Sequence, residues 1–185
     1  MTVKSDRWII DMSRNLDMIN PFSDKQIKKG VISSGVSSYG YDMRISDEFK
    51  LPHADKRTVL DPKNIDELHF KEFRAEQCII PANSFVIART LEYFKIPRNI
   101  VTVCFGKSTY ARIGVIVNVT PFEPEWEGYA TISIINSSKN PVRIYANEGI
   151  AQLLFFESDE ECLVSYADKK GKYQSQKKIT LSRID

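Results

Sequence analysis

The chain has 185 residues, of which 42% are hydrophobic and 27% are charged. This composition is ordinary for a soluble globular protein, and the length predicts one domain that buries about 70% of its unfolded surface. The formal net charge of +2 is too small for a nucleic-acid surface, so any basic site must be local and suited to a small anion. There is no signal peptide and no apolar run of about 18 residues, so the sequence predicts neither secretion nor membrane insertion.

The N-terminal segment has the apolar spacing of a helix. Apolar side chains recur at helical intervals over residues 5–19, with Ser5 or Asp6 as a plausible N-cap and Pro21 ending the run. A second short helical piece is predicted around Ser23–Lys29, because Gly30 follows it as a stop signal. No chemistry is required of this region.

The segment Gly35–Phe49 is dense in turn residues and then alternates between apolar and polar side chains. This pattern predicts a turn that enters a strand. Asp42 and Arg44 within it are either an exposed strand pair or support for a site on a neighbouring strand, and we favour support. Leu51–His69 reads as polar and irregular.

From residue 73 onward, short strand-like runs recur without an intervening helix, which indicates an all-β barrel or sandwich. The runs are CIIPANSFVIART, IVTVCF, GVIVNV, ATISII, VRIYA and AQLLFF. The cysteines Cys78, Cys104 and Cys162 are far apart and form no CxxC pair, so we expect free thiols in a reducing cytoplasm.

The most informative stretch is Gly106–Gly128, GKSTYARIGVIVNVTPFEPEWEG. A Gly-Lys-Ser-Thr group can cradle phosphate, because glycine lets the backbone approach while amides, hydroxyls and an ammonium donate hydrogen bonds. It is not a P-loop, since Val101 stands where that motif needs glycine and the following residues are β-branched rather than helical. A phosphate site here must therefore belong to a β fold.

Together with SSYGYDMR upstream and IYANEGIAQ-LFFE and SYADKKGKYQ-Q downstream, this stretch resembles the dCTP deaminase family over about residues 8–184. The resemblance implies a mainly β chain with a dUTPase-like β-barrel (distorted jelly roll) and short N-terminal helices. It divides residues 1–185 into a helical segment 5–29, a barrel at about 35–164 and a nucleotide-closing tail 165–185. A homotrimer with shared sites is also implied.

The implied reaction is hydrolytic deamination of dCTP to dUTP and ammonia in pyrimidine deoxynucleotide synthesis, with dTTP as an expected inhibitor. The zinc route to cytosine deamination needs H-x-E and P-C-x-x-C. His53 and His69 are the histidines, neither is followed by x-Glu, and no cysteine pair exists. The expected site therefore has no zinc and no protein-bound metal, and Mg²⁺ accompanies the triphosphate because hard cations prefer oxygen ligands.

The resemblance assigns roles to individual residues. Ser108 and Arg112 are placed beside the catalytic water, Glu123 on the sugar hydroxyl, and Trp126 in barrel packing rather than base stacking. The nucleotide-binding residues implied are Lys107, Ser108, Thr109, Tyr110, Ala111, Arg112, Glu123, Thr131, Ile132, Ser133, Gln152, Tyr166, Lys172 and Gln176. The alternative for the tail is a frayed C-terminus.

One position departs from the family pattern. The family's general base is a glutamate three residues before an asparagine, and here that position is Ser133, three residues before Asn136. Strand alternation predicts that Thr131, Ser133 and Ile135 share one face. A serine has no useful proton affinity near neutral pH, whereas a positioned acid or base contributes about 10²–10⁴-fold.

Three accounts fit this serine. The chain is a binding homologue without activity, or it deaminates slowly with Glu123 or Glu125 reaching the water, or it acts on another pyrimidine nucleotide. In the third account it hydrolyses dUTP, because losing a negative charge relaxes the rejection of uracil O4.

Overall fold

The computed structural model describes residues 1–53 and 59–184 of the chain. The predicted mainly β fold is confirmed, and each predicted strand run contains a strand. The strands are β1 (Thr2–Val3), β2 (Ile19–Asn20), β3 (Gly35–Ser37), β4 (Gly40–Pro52), β5 (Phe70–Arg74), β6 (Gln77–Ile80), β7 (Ser84–Lys95), β8 (Ile100–Gly106), β9 (Val115–Asn118), β10 (Glu127–Asn136), β11 (Val142–Tyr145) and β12 (Gly149–Glu157). The helices are α1 (Asp6–Leu16) and α2 (Ser108–Ala111), with a 3-10 turn at Glu67–His69. Of the segment predicted to be irregular, residues 54–58 lie outside the described residues.

The N-terminal helix α1 forms where the apolar spacing predicts it, with Ser5 at the N-cap position. It is shorter than predicted, because Asp17 takes a left-handed conformation (φ 54°) that stops the helix. Ile19 then joins the sheet as part of β2, opposite Phe94 of β7. The helix packs on the sheet through Trp8, whose ring centroid lies 5.9 Å from that of Phe155.

The prediction of a second short helix at Ser23–Lys29 is wrong. Its backbone groups bond to the next segment of the chain instead of to each other: Ile27 and Ser34 exchange N–H···O bonds of 2.9 and 3.1 Å. The N–H of Val36 also donates to the carbonyl oxygen of Ser23 (3.2 Å). Local composition favoured a helix, but the extended pairing with residues 34–36 determines the structure.

The strands form a curled antiparallel sheet in the order β8, β12, β4, β7, β10, β9. β1 adds to β12, β2 to β7, and β3 and β5 to β4, while β6 and β11 form a separate pair. The two ends of the sheet approach each other, since a Cβ at Gly106 of β8 would lie 3.3 Å from the Val117 side chain of β9. The curl leaves α2, which follows β8 directly, beside β9.

Strand β10 shows the predicted alternation of faces. Ile132 and Ile134 are fully buried, while Thr131, Ser133 and Ile135 are half-buried on the opposite face. The inner face joins an apolar core that includes Ile9, Tyr41, Met43, Ile45, Phe49, Phe94, Leu153 and Phe155. Burial of such side chains is the main stabilising term of the fold.

Asp42 and Arg44 are not an exposed strand pair. Arg44 Nε lies 2.7 Å from Glu92 Oε1, and Glu92 is fully buried. Burial raises the pKa of Glu92, and the nearby Arg44 guanidinium opposes that rise. Asp42 is also nearly buried and forms an ion pair with Lys107.

Candidate functional site

A cavity opens where β9 and β10 separate. The two strands pair only from Ser133 opposite Asn118 to Asn136 opposite Val115. Beyond Ser133 the strands part, and the gap holds a cavity of about 700 Å³. Its lining residues are Val119, Thr120, Pro121, Phe122, Glu123, Trp126, Ala130, Thr131, Tyr166, Lys169, Gly171, Lys172, Tyr173, Gln176 and Thr180. A space of this size suits a small organic ligand.

One wall of the cavity is the acidic turn 121–126. The turn is fixed to the end of β7, because Glu125 N–H donates to Ile96 O (3.1 Å) and Ile96 N–H donates to Trp126 O (2.9 Å). Trp126 is buried against Phe122 at 4.6 Å between ring centroids and also contributes to the cavity lining. Glu123 is half-buried and forms an ion pair with Lys169 of the tail.

The opposite wall is the C-terminal tail, which docks on β10 rather than fraying. The N–H of Tyr129 donates to Gln176 O (3.0 Å), and the N–H of Ser175 donates to Glu127 O (2.9 Å). Gly128 permits this approach: its φ is 144°, and a Cβ there would lie 2.8 Å from Gln176 N. The tail's position therefore depends on backbone hydrogen bonds to β10.

Side chains of the tail close the cavity. The Trp126 indole N–H donates to Tyr173 O (2.9 Å), and the N–H of Tyr173 donates to the Tyr166 hydroxyl (3.0 Å). The Thr131 hydroxyl donates to the Gln176 side-chain oxygen (3.2 Å). These bonds bring together the predicted residues Glu123, Thr131, Tyr166, Lys172 and Gln176.

The Gly-Lys-Ser-Thr group lies away from this cavity. Ser108, Thr109, Ala111 and Arg112 are exposed on and just after α2. The Arg112 side chain forms no hydrogen bond or ion pair with any residue that the structure describes. Tyr110, by contrast, is buried, which raises its pKa to about 12, and its hydroxyl accepts from Tyr145 N–H at 3.3 Å.

Lys107 is held by the strand that carries the GYD segment. Its ammonium lies 2.7 Å from Asp42 Oδ2, and the side chains are 11% and 4% exposed. Gln26 also donates to Asp42 Oδ2 (3.1 Å). Gln152 lies directly opposite Asp42 on β12 and donates to the Ser37 hydroxyl (2.8 Å). The predicted residues Lys107 and Gln152 therefore belong with α2, not with the cavity.

Ser133 is not among the residues that line the cavity, although Thr131, two residues earlier on the same face of β10, is one of them. It is opposite Asn118 on β9 and Ile87 on β7, so these side chains share a face. Thr131 and Ile135 flank it on that face. None of these four neighbours carries a carboxylate. The side chain of Ile132 points into the core, which leaves only its backbone available to a ligand.

The sequence did not single out several cavity residues. Val119 and Thr120 follow β9 within the quoted motif, but only the parting of the strands shows that they line a cavity. Lys169 was part of the basic tail, yet its pairing with Glu123 depends on where the tail docks. The clustering of lysines in the tail was the one feature of the sequence that pointed to Lys169.

No group of three or more metal-ligating side chains occurs within the described residues 1–53 and 59–184. None of the helices in that part of the chain is both long and apolar enough to cross a membrane. The three cysteines are unpaired, and burial raises the pKa of Cys78 to about 11 and that of Cys104 to about 12.

Comparison with known proteins gives consistent matches. A model of the dCTP deaminase-like family matches residues 3–158. A dCTP deaminase of Acidobacterium capsulatum is 56% identical over 184 residues, covering 100% of both chains. A dCTP deaminase of Gemmatimonas aurantiaca is 59% identical over 184 residues, again covering 100% of both. The chain belongs to the dCTP deaminase-like family.

The fold agrees with that of a solved relative. The crystal structure of 2'-deoxycytidine 5'-triphosphate deaminase from Agrobacterium tumefaciens superposes with a TM-score of 0.65 at 13% identity. The match covers 84% of this dCTP deaminase-like chain and 48% of that one, so the chain spans about half the length of the solved protein. The family match ends at residue 158, whereas the curated relatives align along the tail as well.

Proposed function

We propose that this protein binds dCTP in the cavity between β9, β10 and the tail and deaminates it slowly to dUTP and ammonia. The observation that carries the proposal is the convergence of Glu123, Thr131, Tyr166, Lys172 and Gln176 on one cavity. These residues come from two separate segments, 123–131 and 166–176, and the resemblance assigned all of them to nucleotide binding. The full-length relatives named dCTP deaminase support the same substrate class.

In this proposal Glu123 accepts a hydrogen bond from the sugar hydroxyl. The ammonium group of Lys172 in the tail faces the triphosphate, because hydrogen bonds between an ammonium and phosphate oxygens are strong. Because Lys169 pairs with Glu123, the sugar hydroxyl has to compete with that ammonium group for the carboxylate. Mg²⁺ bound to the phosphate oxygens offsets their charge when present. The protein works in the cytoplasm as part of pyrimidine deoxynucleotide supply, with dTTP as an inhibitor.

A homotrimer with shared sites completes the proposed centre. Ser108 and Arg112 are exposed on α2 and are not among the residues that line the cavity of their own chain. A second copy that presents its α2 to the cavity would add a hydroxyl and a guanidinium beside the nucleotide. Shared sites of this kind arise naturally from closed cyclic symmetry.

The proposed slowness follows from Ser133. Slow turnover would use Glu123 or Glu125, and each would first have to leave a cation, because Glu125 Oε2 lies 2.6 Å from the Arg98 guanidinium and Glu123 is paired with Lys169. A nucleotide-binding homologue without turnover is therefore the second candidate, favoured by the lack of a carboxylate among the neighbours of Ser133.

The test is a product assay with the purified protein, dCTP and Mg²⁺. Ammonia and dUTP without pyrophosphate are expected if the proposal is right. Release of dUMP and pyrophosphate would instead identify a hydrolase. If dCTP raises the melting temperature but no product forms, the protein is a binding homologue. If dCTP neither reacts nor stabilises the protein, the cavity assignment is wrong.

A further inference from the structure

Arg98 lies at a junction of three chain segments. It sits in the turn between β7 and β8, and its side chain is 34% exposed. One terminal nitrogen lies 2.6 Å from Glu125 Oε2 in the acidic turn. The other lies 2.9 Å from Asp168 Oδ2 in the tail and donates to Cys162 O (3.4 Å). The residue therefore contacts both walls of the cavity from outside.

We propose that Arg98 is a positioning residue that holds the tail against the acidic turn and so keeps the nucleotide cavity closed. The effect on nucleotide binding rests on the proposed function, whereas the role of Arg98 in holding the tail does not. Arg98 is not among the cavity-lining residues, so it acts through Glu125 and Asp168 rather than on the ligand.

The geometry needs an arginine. A planar guanidinium offers two terminal nitrogens in a fixed fork, which can bond one carboxylate each, whereas an ammonium is a single point charge. Asp168 is held in place for this contact, because Ser165 N–H donates to its Oδ2 (3.0 Å) and Asp168 N–H donates to the Ser165 hydroxyl (3.1 Å). The tail segment thus presents a fixed carboxylate to the fork.

The two walls are coupled by further bonds around the same point. Tyr166 N–H donates to Pro124 O (2.9 Å), and the Gln174 side-chain amide donates to Glu125 O (2.9 Å). Glu125 itself has a positive φ of 61°, which is uncommon for a residue with a side chain. Arg98 stabilises this turn and the first part of the tail together, so loss of its side chain should loosen both.

The test uses tail docking as a readout that needs no nucleotide. In a Trp8→Phe background, Trp126 is the remaining tryptophan, and its indole bonds to the tail at Tyr173 O. Arg98→Ala should shift Trp126 emission to longer wavelength. It should also speed tryptic cleavage at Lys169–Lys172 about three- to tenfold, the range expected for losing two partly exposed ion pairs.

Matched variants separate positioning from general effects. Arg14→Ala removes another exposed arginine ion pair, with Asp24, which makes no contact with any tail residue that the structure describes, and should leave both readouts unchanged. Arg98→Lys should give an intermediate result. Asp168→Asn, which removes only the tail partner, should act in the same direction as Arg98→Ala and keeps the test decisive if Arg98→Ala does not fold.

The link to function is measured by dCTP affinity. Arg98→Ala should raise the Kd for dCTP by about three- to tenfold with a smaller change in turnover number. Unchanged emission and cleavage, or equal changes in Arg14→Ala, would overturn the positioning role. If docking changes while the parent protein fails to bind dCTP, the proposed function is wrong and the structural inference stands.

Discussion

Ser133 of β10 lies directly opposite Asn118 of β9, and this is the last pair before the two strands part around the cavity. The position is therefore anchored in the sheet, two residues from Thr131, which lines the cavity. A carboxylate introduced here would be held on rigid strands, as an effective base requires.

Ser133→Glu should raise ammonia release from dCTP at least about tenfold, because a positioned base contributes 10²–10⁴-fold. Coupled detection of ammonia measures it. Ser158→Glu makes the same chemical change on an exposed loop and should have no effect. No gain in the Ser133 variant would remove the explanation offered for slow turnover.

Asp42→Asn should destabilise the protein by about 3 kcal/mol, because Lys107 then keeps a nearly buried charge without its partner. Urea unfolding measures the loss. The double variant with Lys107→Met should recover part of it, since no unpaired charge remains. If the double variant lost as much stability as the two single variants added together, the two residues would not be coupled.

Gly128→Ala should displace the tail, because its Cβ would lie 2.8 Å from Gln176 N at a φ of 144°. Gly30→Ala is the control: its φ is also positive, at 76°, but nothing lies within 4 Å of the added Cβ. We expect a fall in dCTP affinity and a shift of Trp126 emission for Gly128→Ala only. Equal effects in both variants would indicate backbone strain alone.

Mixing two inactive variants tests the shared site. Arg112→Ala and Glu123→Gln remove groups that two neighbouring copies would each supply to one shared site. When the two variants are refolded together, about a quarter of the sites should combine an intact Glu123 with an intact Arg112 and recover activity. The assay uses the more active of the parent and Ser133→Glu backgrounds. Activity no higher than the average of the separate variants would place both residues in one chain's site.

The pH dependence of stability should carry a contribution from Glu48. Its side chain is 13% exposed and Nε of Arg89 lies 2.7 Å away. Hydrogen bonding from Arg89 lowers the pKa of Glu48 from its ordinary 4.5. The resulting stabilisation is present above pH about 4.5 and is lost as the pH falls through the lowered value.

Glu48→Gln should therefore cost stability at neutral pH and progressively less below pH about 4.5. Urea unfolding at a series of pH values measures this difference. In an Arg89→Met background the cost of the substitution should be smaller at neutral pH. A cost that does not vary with pH would exclude the carboxylate as its source.

The sequence alone was sufficient for the strands and for the faces of β10. Period-two alternation is a local property, so it separated Ile132 and Ile134, which the structure places in the core, from Ser133 on the other face. It did not show which face is buried, and Ile132 was therefore assigned to nucleotide binding. The motif resemblance likewise identified residues that the structure brings into one cavity, such as Glu123 and Tyr166. These predictions depended on patterns that neighbouring residues carry by themselves.

Long-range pairing was beyond the sequence. The helix predicted at Ser23–Lys29 failed because residues 34–36 compete for its backbone groups. The pairing of Gly128 with Gln176 joins segments far apart in the chain, and no local pattern encodes it. The separation of Arg112 from the cavity could not be read from a motif either, since a motif does not show which groups share a side of the molecule.

The backbone bonds between the tail and β10 have a consequence for how this region tolerates change. Main-chain amides pair regardless of which side chains they carry, so the register of the final segment is protected from most substitutions along it. Lys170 and Ser175 illustrate that tolerance, because both adopt positive φ angles, 50° and 55°, that glycine would accommodate more readily. The side chains that face the ligand can therefore change while the tail keeps its position on β10.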